Sequence, residues 1–493
     1  MKGDVEAVGA IRDALSRLPD VSAHGSLTPP RAGELYVPAS HVKALSLDTS
    51  VVVGMRGAGK SVWTAALFDK GTRLRLVGGG APEALAHTHV RIGFSIDPYQ
   101  GEHPDPDTLF NLLERGMEPR HIWRGVLARH LADICEWPSP AQRASDAAQW
   151  ARDEPEAFKE MLGEATRTLK RRGEYLLVVF DALDTAAPGS WKNVRALARG
   201  ALELALACRP YPNIRVKCFL RPDMEEDEEV FAFRDSSKLL HNRVDLAWRP
   251  VDLYGLLFHL LANGPAAQVF VPRAKQITNL DWQTADGLCR VPDAARGNEE
   301  NQRPLLEAVA GPYMGTNHRR GYTYTWITGH LADAHGRIAP RSFLLALRKA
   351  AELTCEKYAE HDYPLHYEAI KRGVAEASNT RVQELSGEDY PWVSPLLREL
   401  QDMTVPLGID EMRNKWTRGV LQEALRVSGD KLPPRRFAST SASARDIEQL
   451  IDDLEELGVL YRTGDGRINI PDIFRVGFGI RRKGGVRPPK RGS

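Results

Sequence analysis

The apolar positions of this chain change period several times, and each change marks an element. At the start, MKGDVEAVGAIRDALSRL has the spacing of an amphipathic helix. Val51 to Val53 predict a short buried strand, and SVWTAALF beyond a glycine-rich turn predicts a helix. Within EYLLVVFDALDT, residues 174–185, the apolar run is what a central parallel strand, covered on both faces, requires. VRALARGALELALA reads as a further helix and NIRVKCFLRPDM, residues 213–224, as a further strand. Strands alternating with helices predict an α/β fold with a doubly wound parallel sheet, because parallel neighbours need right-handed crossovers.

Downstream the pattern loosens. Residues 264–304 carry many helix breakers and no sustained period, which predicts an irregular insertion. PRSFLLALRKAAE, residues 340–352, predicts a helix of a mostly helical segment. Near the end, SARDIEQLIDDLEELGVL offers Ser443 and Asp446 as a capping box. Ile447, Leu450, Leu454 and Leu457 then follow at helical spacing, with Gly458 as the stop. VLYRT and RINIP flank GDG, so a short hairpin follows that helix, as at the end of a winged helix. The resulting domain reading has an N-terminal helical segment (1–34), a sheet domain (35–263), the insertion (264–304) and a helical lid (305–380). A winged-helix domain (381–480) and a basic tail (481–493) complete it.

Composition narrows the classes. The chain has 493 residues, 42% hydrophobic and 27% charged, which fits a soluble globular protein of more than one domain. Lys plus Arg number 66 against 65 for Asp plus Glu, so binding to nucleic acid must come from a local patch. The five cysteines are scattered and never form a CxxC pair, which argues against a disulfide framework and for a reducing compartment. The apolar runs are too short to cross a bilayer and the N-terminus lacks a signal-peptide core, so the expected location is cytoplasmic, without membrane contact.

Candidate chemistry sits between the first strand and its helix. In VVVGMRGAGKSVW, residues 51–63, Gly54, four free positions, Gly59, Lys60 and Ser61 form the frame of a phosphate-wrapping loop. Here Gly54 and Gly59 allow conformations closed to other residues, Lys60 reaches the β- and γ-phosphates, and Ser61 holds Mg2+. The amides from Arg56 through Gly57 and Ala58 to Val62 face the phosphates, at the positive end of the new helix. Asp181, ending the strand of residues 174–185, is the metal-organising carboxylate; its alternative role is a helix cap. Arg221, at the end of the next strand, is a phosphate sensor or a surface arginine before Pro222.

These residues, in this order, resemble the P-loop ATPases of the AAA+ and STAND type, including their origin-recognition and KAP-like branches. The resemblance covers roughly residues 35 to 360, and only the P-loop is specific by itself. It implies ATP and Mg2+ as cofactors and a P-loop NTPase fold with a helical lid. It also places Arg341 on the nucleotide as a second sensor and Arg243 at a neighbouring subunit as an arginine finger. Many such ATPases have a glutamate directly after the magnesium aspartate; here that place is Ala182, so either Asp184 substitutes or hydrolysis is slow. GTP is set aside because NKWT, from Asn414, lacks the aspartate of a guanine-reading element. ELSGEDY, residues 384–390, reads as a loop, and His330, Asp333 and His335 as a surface helix, not a metal site. The function expected is a nucleotide-dependent conformational switch or slow ATPase, acting as a homo-oligomer or with a protein partner in a bacterial signalling or defence assembly. The alternative is an ATP-dependent DNA-binding protein of the origin-recognition kind, gripping DNA through the winged helix and the tail RRKGGVRPPKRGS.

Overall fold

The computed structural model describes residues 5–19, 27–97, 101–428, 432–438 and 443–482. The chain opens with helix α1 (Val5–Ser16), and its contacts divide into two compact units. One comprises residues 23–32 and 37–247; the other comprises 1–22, 33–36 and 248–493, so α1 belongs with the C-terminal half.

The first unit is built on five parallel strands in the order β2-β3-β4-β1-β5: β1 (Val51–Val53), β2 (Thr88–Phe94), β3 (Tyr175–Phe180), β4 (Ile214–Leu220) and β5 (Val244–Asp245). β1 has only three residues, yet it is flanked on both sides, Val51 opposite Cys218 and Val52 opposite Val244. All three valines are buried, so β-branched side chains serve on both faces. Helices α2 (Lys60–Phe68) and α3 (Trp191–Cys208) follow β1 and β3 in the chain. Gly93 of β2 lets β3 close in, since a Cβ there would lie 2.4 Å from the Phe180 ring. Behind that ring stands buried Trp123, edge-on at 5.1 Å, its indole N–H donating to the Leu197 carbonyl at 2.9 Å.

One core position of β4 breaks the apolar pattern. Lys217 is fully buried, and its Nζ donates to the carbonyls of Ala44, Ser46 and Thr49 at 2.7, 2.9 and 2.5 Å. Burial pushes its ammonium down to about 7. The three acceptors call for three N–H donors, and they tie the segment entering β1 to β4.

In the second unit, α4 (Pro340–Lys357) packs against α5 (Tyr367–Glu384) and against α1. Arg12 of α1 is buried and donates to the carbonyls of Ala359, His361, Tyr363 and Pro364. Residues 264–304 are more regular than their sequence suggests, with helices at Ala267–Thr278 and Glu299–Ala310 around a two-strand hairpin. Pro272 and Pro304 sit inside these helices. Tertiary packing offsets the lost hydrogen bonds: Phe270 and Ala274 are buried, and Phe270 meets Trp282 edge-on at 5.7 Å. Residues 385–389 continue α5 as a π-helical turn, where a loop was expected.

The C-terminal helix α6 (Ala444–Glu456) carries the expected capping box: Asp446 N–H donates to Ser443 Oγ and Ser443 N–H to the Asp446 carboxylate. Ile447, Leu450 and Leu454 are fully buried, and Gly458 takes φ 74° just beyond the helix. Tyr461–Arg462 and Ile468–Asn469 pair antiparallel as a hairpin, and Leu407 bridges to Ile468. The acidic residues of α6 are answered locally. Arg462 is ion-paired with Glu448, Asp452 and Glu455, and Arg436 with Asp453 and Glu456.

Candidate functional site

The loop joining β1 to α2 is fixed at both ends. Gly54 N–H donates to Leu220 O of β4 at 3.0 Å, and Trp63 N–H reaches back to Gly59 O at 3.0 Å. Left-handed backbone falls at Gly57 (φ 77°) and Gly59 (φ 103°), and not at Gly54. At Gly54 the constraint is one of space: a Cβ there would lie 3.3 Å from the Cβ atoms of Ala58 and Leu246, so these neighbours would have to give by a few tenths of an ångström. Ala58 is buried, and its N–H closes a turn onto Met55 O at 3.1 Å. The N–H groups of Lys60, Ser61 and Val62 form the first turn of α2, where a helix has no internal acceptors. The turn, with its partial positive charge, is a cradle for an anion. Arg56 and Val62 are half-buried beside it. Lys60 Nζ bends over the loop and donates to Gly54 O at 2.7 Å and Met55 O at 3.3 Å.

Asp181 stands immediately beyond the C-terminal end of β3, buried, its N–H donating to Phe94 O of β2 at 2.9 Å. Its carboxylate accepts from Ala182 N–H at 2.9 Å, and Asp181 lines a small cavity together with Ser61. Burial raises the Asp181 carboxyl above the ordinary carboxylate range, against the opposing pull of the Ser61 hydroxyl and the Lys60 charge. Burial likewise lowers the Lys60 ammonium, and Asp184 and Asp181 are the charges that oppose this most. Sequence positions 60, 61, 181 and 184 thus meet at one end of the sheet.

Ala182 adopts a left-handed φ of 53°, and the chain turns so that Leu183 is buried and Asp184 is returned to the site. Arg221, at the end of β4, reaches Asp184 through Nη1 at 3.2 Å and Asp223 through Nε at 3.0 Å. Arg221 and Asp223 are buried, so this pair of bridges is desolvated and orients the guanidinium firmly.

Ser61 and Asp181 offer two hard oxygen donors to one small cavity, which suits Mg2+. Among the described residues no cluster of three His, Cys, Asp or Glu side chains could hold a metal alone, so a metal here would need further oxygen ligands from outside the protein. Beside this pair, Thr64 and Ser95 line the same cavity. Ser95 was missed in the sequence because β2 was missed; its THVRIGF alternation was the available signal.

Two further arginines of the sequence reading have acidic partners within their own units. Arg341 lies on α4 in the second unit, where it is ion-paired with Glu384 of α5 at 2.5 Å. Arg243 is ion-paired with Glu225 in the first unit. His330 lies on the helix Thr323–Leu331 and stacks on Trp326 at 3.8 Å, whereas Asp333 and His335 lie beyond its end and not in the surface helix expected, His335 Nε2 being 3.0 Å from Glu456 O. Of the basic tail, Arg481 pairs with Asp402 at 2.6 Å and Arg482 lies 3.6 Å from Asp472; residues 483–493 lie outside the described residues. No helix among the described residues is long and apolar enough to cross a membrane.

No protein-family model matches the chain, and no curated protein matches it in sequence. Among solved structures it is similar to the ORC2 protein of Aeropyrum pernix in ADPNP–ADP complexes, at 15% identity and a TM-score of 0.39, over 91% of this chain and 92% of that one. It is also similar to a Walker-type ATPase of Pyrococcus abyssi, at 11% identity and a TM-score of 0.37, over 92% and 98% of the two chains. The Aeropyrum pernix ORC1 protein in complex with DNA follows at 12% identity and a TM-score of 0.33, over 91% and 93%. Such low scores add no argument to that of the residues themselves. The first unit is a parallel α/β sheet, with the loop, the ammonium and the acidic strand end assembled at one end of its strands.

Proposed function

We propose that this protein binds ATP with Mg2+ at the β1–α2 loop and uses it as a conformational switch, with slow hydrolysis. The observation that supports this most is that Ser61 and Asp181, residues from distant parts of the chain, line one small cavity, with Asp181 opposing the shift of the neighbouring Lys60 ammonium. In this reading the amides of Arg56, Gly57 and Gly59 to Val62 and Lys60 Nζ hold the phosphates, and Ser61 and Asp181 hold the metal. Mg2+, when bound, neutralises phosphate charge and orients the terminal phosphate. Arg221 answers charge at the same end of the sheet, and Asp184 orients the attacking water in place of the glutamate that Ala182 replaces. Because Arg221 already engages that carboxylate at 3.2 Å, turnover is slow. Arg341 serves as the lid sensor in the same reading.

The helices Ile409–Lys415, Arg418–Ser428 and α6, followed by the hairpin, have the element order of a winged helix. Its wing arginines, Arg462 and Arg467, are both ion-paired with neighbouring acids, which favours a protein-holding role over a DNA grip. Phosphate release measured with and without duplex DNA tests the proposal. Slow, DNA-independent turnover that falls in Asp181→Ala while ATP binding largely persists supports it. Unchanged turnover in Asp181→Ala overturns the metal assignment, and turnover that rises with duplex returns the origin-recognition reading.

A further inference from the structure

The opposite end of the same sheet carries a concave basic surface that the ATP reading does not use. Asp48 and Ser50 precede β1, Arg215 is the second residue of β4, Arg209 directly follows α3, and Lys238 and Asn242 precede β5. Together they line a cleft of about 220 Å³. Three cations there face one acid, Asp48, a balance of 3 − 1 = +2 among the lining side chains. The acid and one cation are already matched: Arg215 Nε meets Asp48 Oδ1 at 3.2 Å.

Arg215 is held firmly before any ligand arrives. Its Nη1 donates to the carbonyls of Tyr211 at 2.8 Å and Ile214 at 3.0 Å, and its side chain is only 17% exposed. Its Nη2 has no partner among the described residues. Arg209 is anchored similarly, Nη1 donating to Lys238 O at 2.9 Å. Lys238 Nζ is loosely paired with Asp235 at 3.2 Å and 58% exposed, so it can turn to a ligand at little cost. Two guanidinium forks held in place, an ammonium, and the Ser50 hydroxyl and Asn242 amide are the donors that a tetrahedral oxyanion uses. The volume is below that of clefts that enclose drug-sized ligands, which favours a small one.

We infer that this cleft is a second anion site, which takes the phosphate group of a small phosphorylated molecule. Only Val51–Val53 separate it from the P-loop, about 10 Å of strand.

The test uses the full chain carrying Lys60→Ala, which removes the P-loop ammonium, titrated with inorganic phosphate by calorimetry at constant ionic strength. Saturable binding of one phosphate per chain is expected, weakened at least tenfold by adding Arg209→Gln or Lys238→Gln; both positions are exposed, so these variants keep the fold. Absence of saturable binding, or Arg209→Gln binding like its parent, overturns the inference. A nucleic-acid backbone could present the same group, so duplex DNA is the second arm: displacement of phosphate by DNA at lower concentration than by free phosphate overturns the small-molecule assignment. Arg209→Gln alone should leave ATP affinity unchanged, so failure here is distinguishable from failure of the ATP reading.

Discussion

Gly59→Ala isolates the conformational cost of the phosphate loop. Gly59 has φ 103° and ψ 19°, and no heavy atom lies within 4 Å of where a Cβ would stand. The penalty is therefore one of backbone and not of packing. A left-handed L-residue costs roughly 1–2 kcal/mol near φ 60°, and φ 103° lies beyond that well, so about 2 kcal/mol is expected. In urea unfolding this lowers the midpoint without changing the slope, since the exposed surface is the same. Where the loop relaxes to escape the strain, the amides of Lys60 and Ser61 leave their positions and ATP affinity falls instead. Gly163→Ala is the control. It lies within the helix Pro155–Arg172, and its Cβ would meet only Arg167 Nη1 at 3.7 Å. There alanine should stabilise by about 0.5–1 kcal/mol. Wild-type midpoint together with wild-type ATP affinity in Gly59→Ala would refute the reasoning.

Two further outcomes follow from buried charge. Lys217→Met leaves the carbonyls of Ala44, Ser46 and Thr49 without their donor, and at 1–3 kcal/mol per orphaned buried group at least about 3 kcal/mol is expected. A urea midpoint within error of wild type would show that the ammonium does not clamp the strand. Burial raises the folded-state pKa of Asp181 above its unfolded value, so its contribution to stability is complete below about pH 4 and is lost as pH rises through the raised value. Metal binding requires the anion, so Mg2+-dependent ATP affinity should weaken as pH falls through that value. Asp181→Asn should flatten the profile, and a flat wild-type profile would contradict the assignment.

The parts of the fold legible in sequence are those whose signal is local. β3 announces itself because a strand covered on both faces must be apolar throughout, and the capping box of α6 because Ser443 and Asp446 are three residues apart. The loop frame is equally compact, though the residue that takes the second left-handed turn is Gly57 and not Gly54. What escaped was set by distant partners. β2 interleaves His89 and Arg91 with apolar residues, so it lacks the continuous run that marked β3. Lys217 reads as a solvent-facing lysine in NIRVKCFL until the three carbonyls before β1 are in view, about 170 residues away in the chain. The two bridges of Arg221 needed the turn at Ala182, whose left-handed backbone nothing in its residue type predicts. Pro272 and Pro304 looked like breaks because the packing that sustains their helices is tertiary.

The central claim is that one ammonium and one strand-end carboxylate act on the same ligand. Calorimetric titration of ATP into the wild-type chain and into Lys60→Ala, each with and without Mg2+, tests it most directly. Saturable binding by the wild type that tightens with Mg2+ and is abolished in Lys60→Ala is the result predicted. Wild-type affinity in Lys60→Ala, with a fold unchanged by circular dichroism, would contradict it.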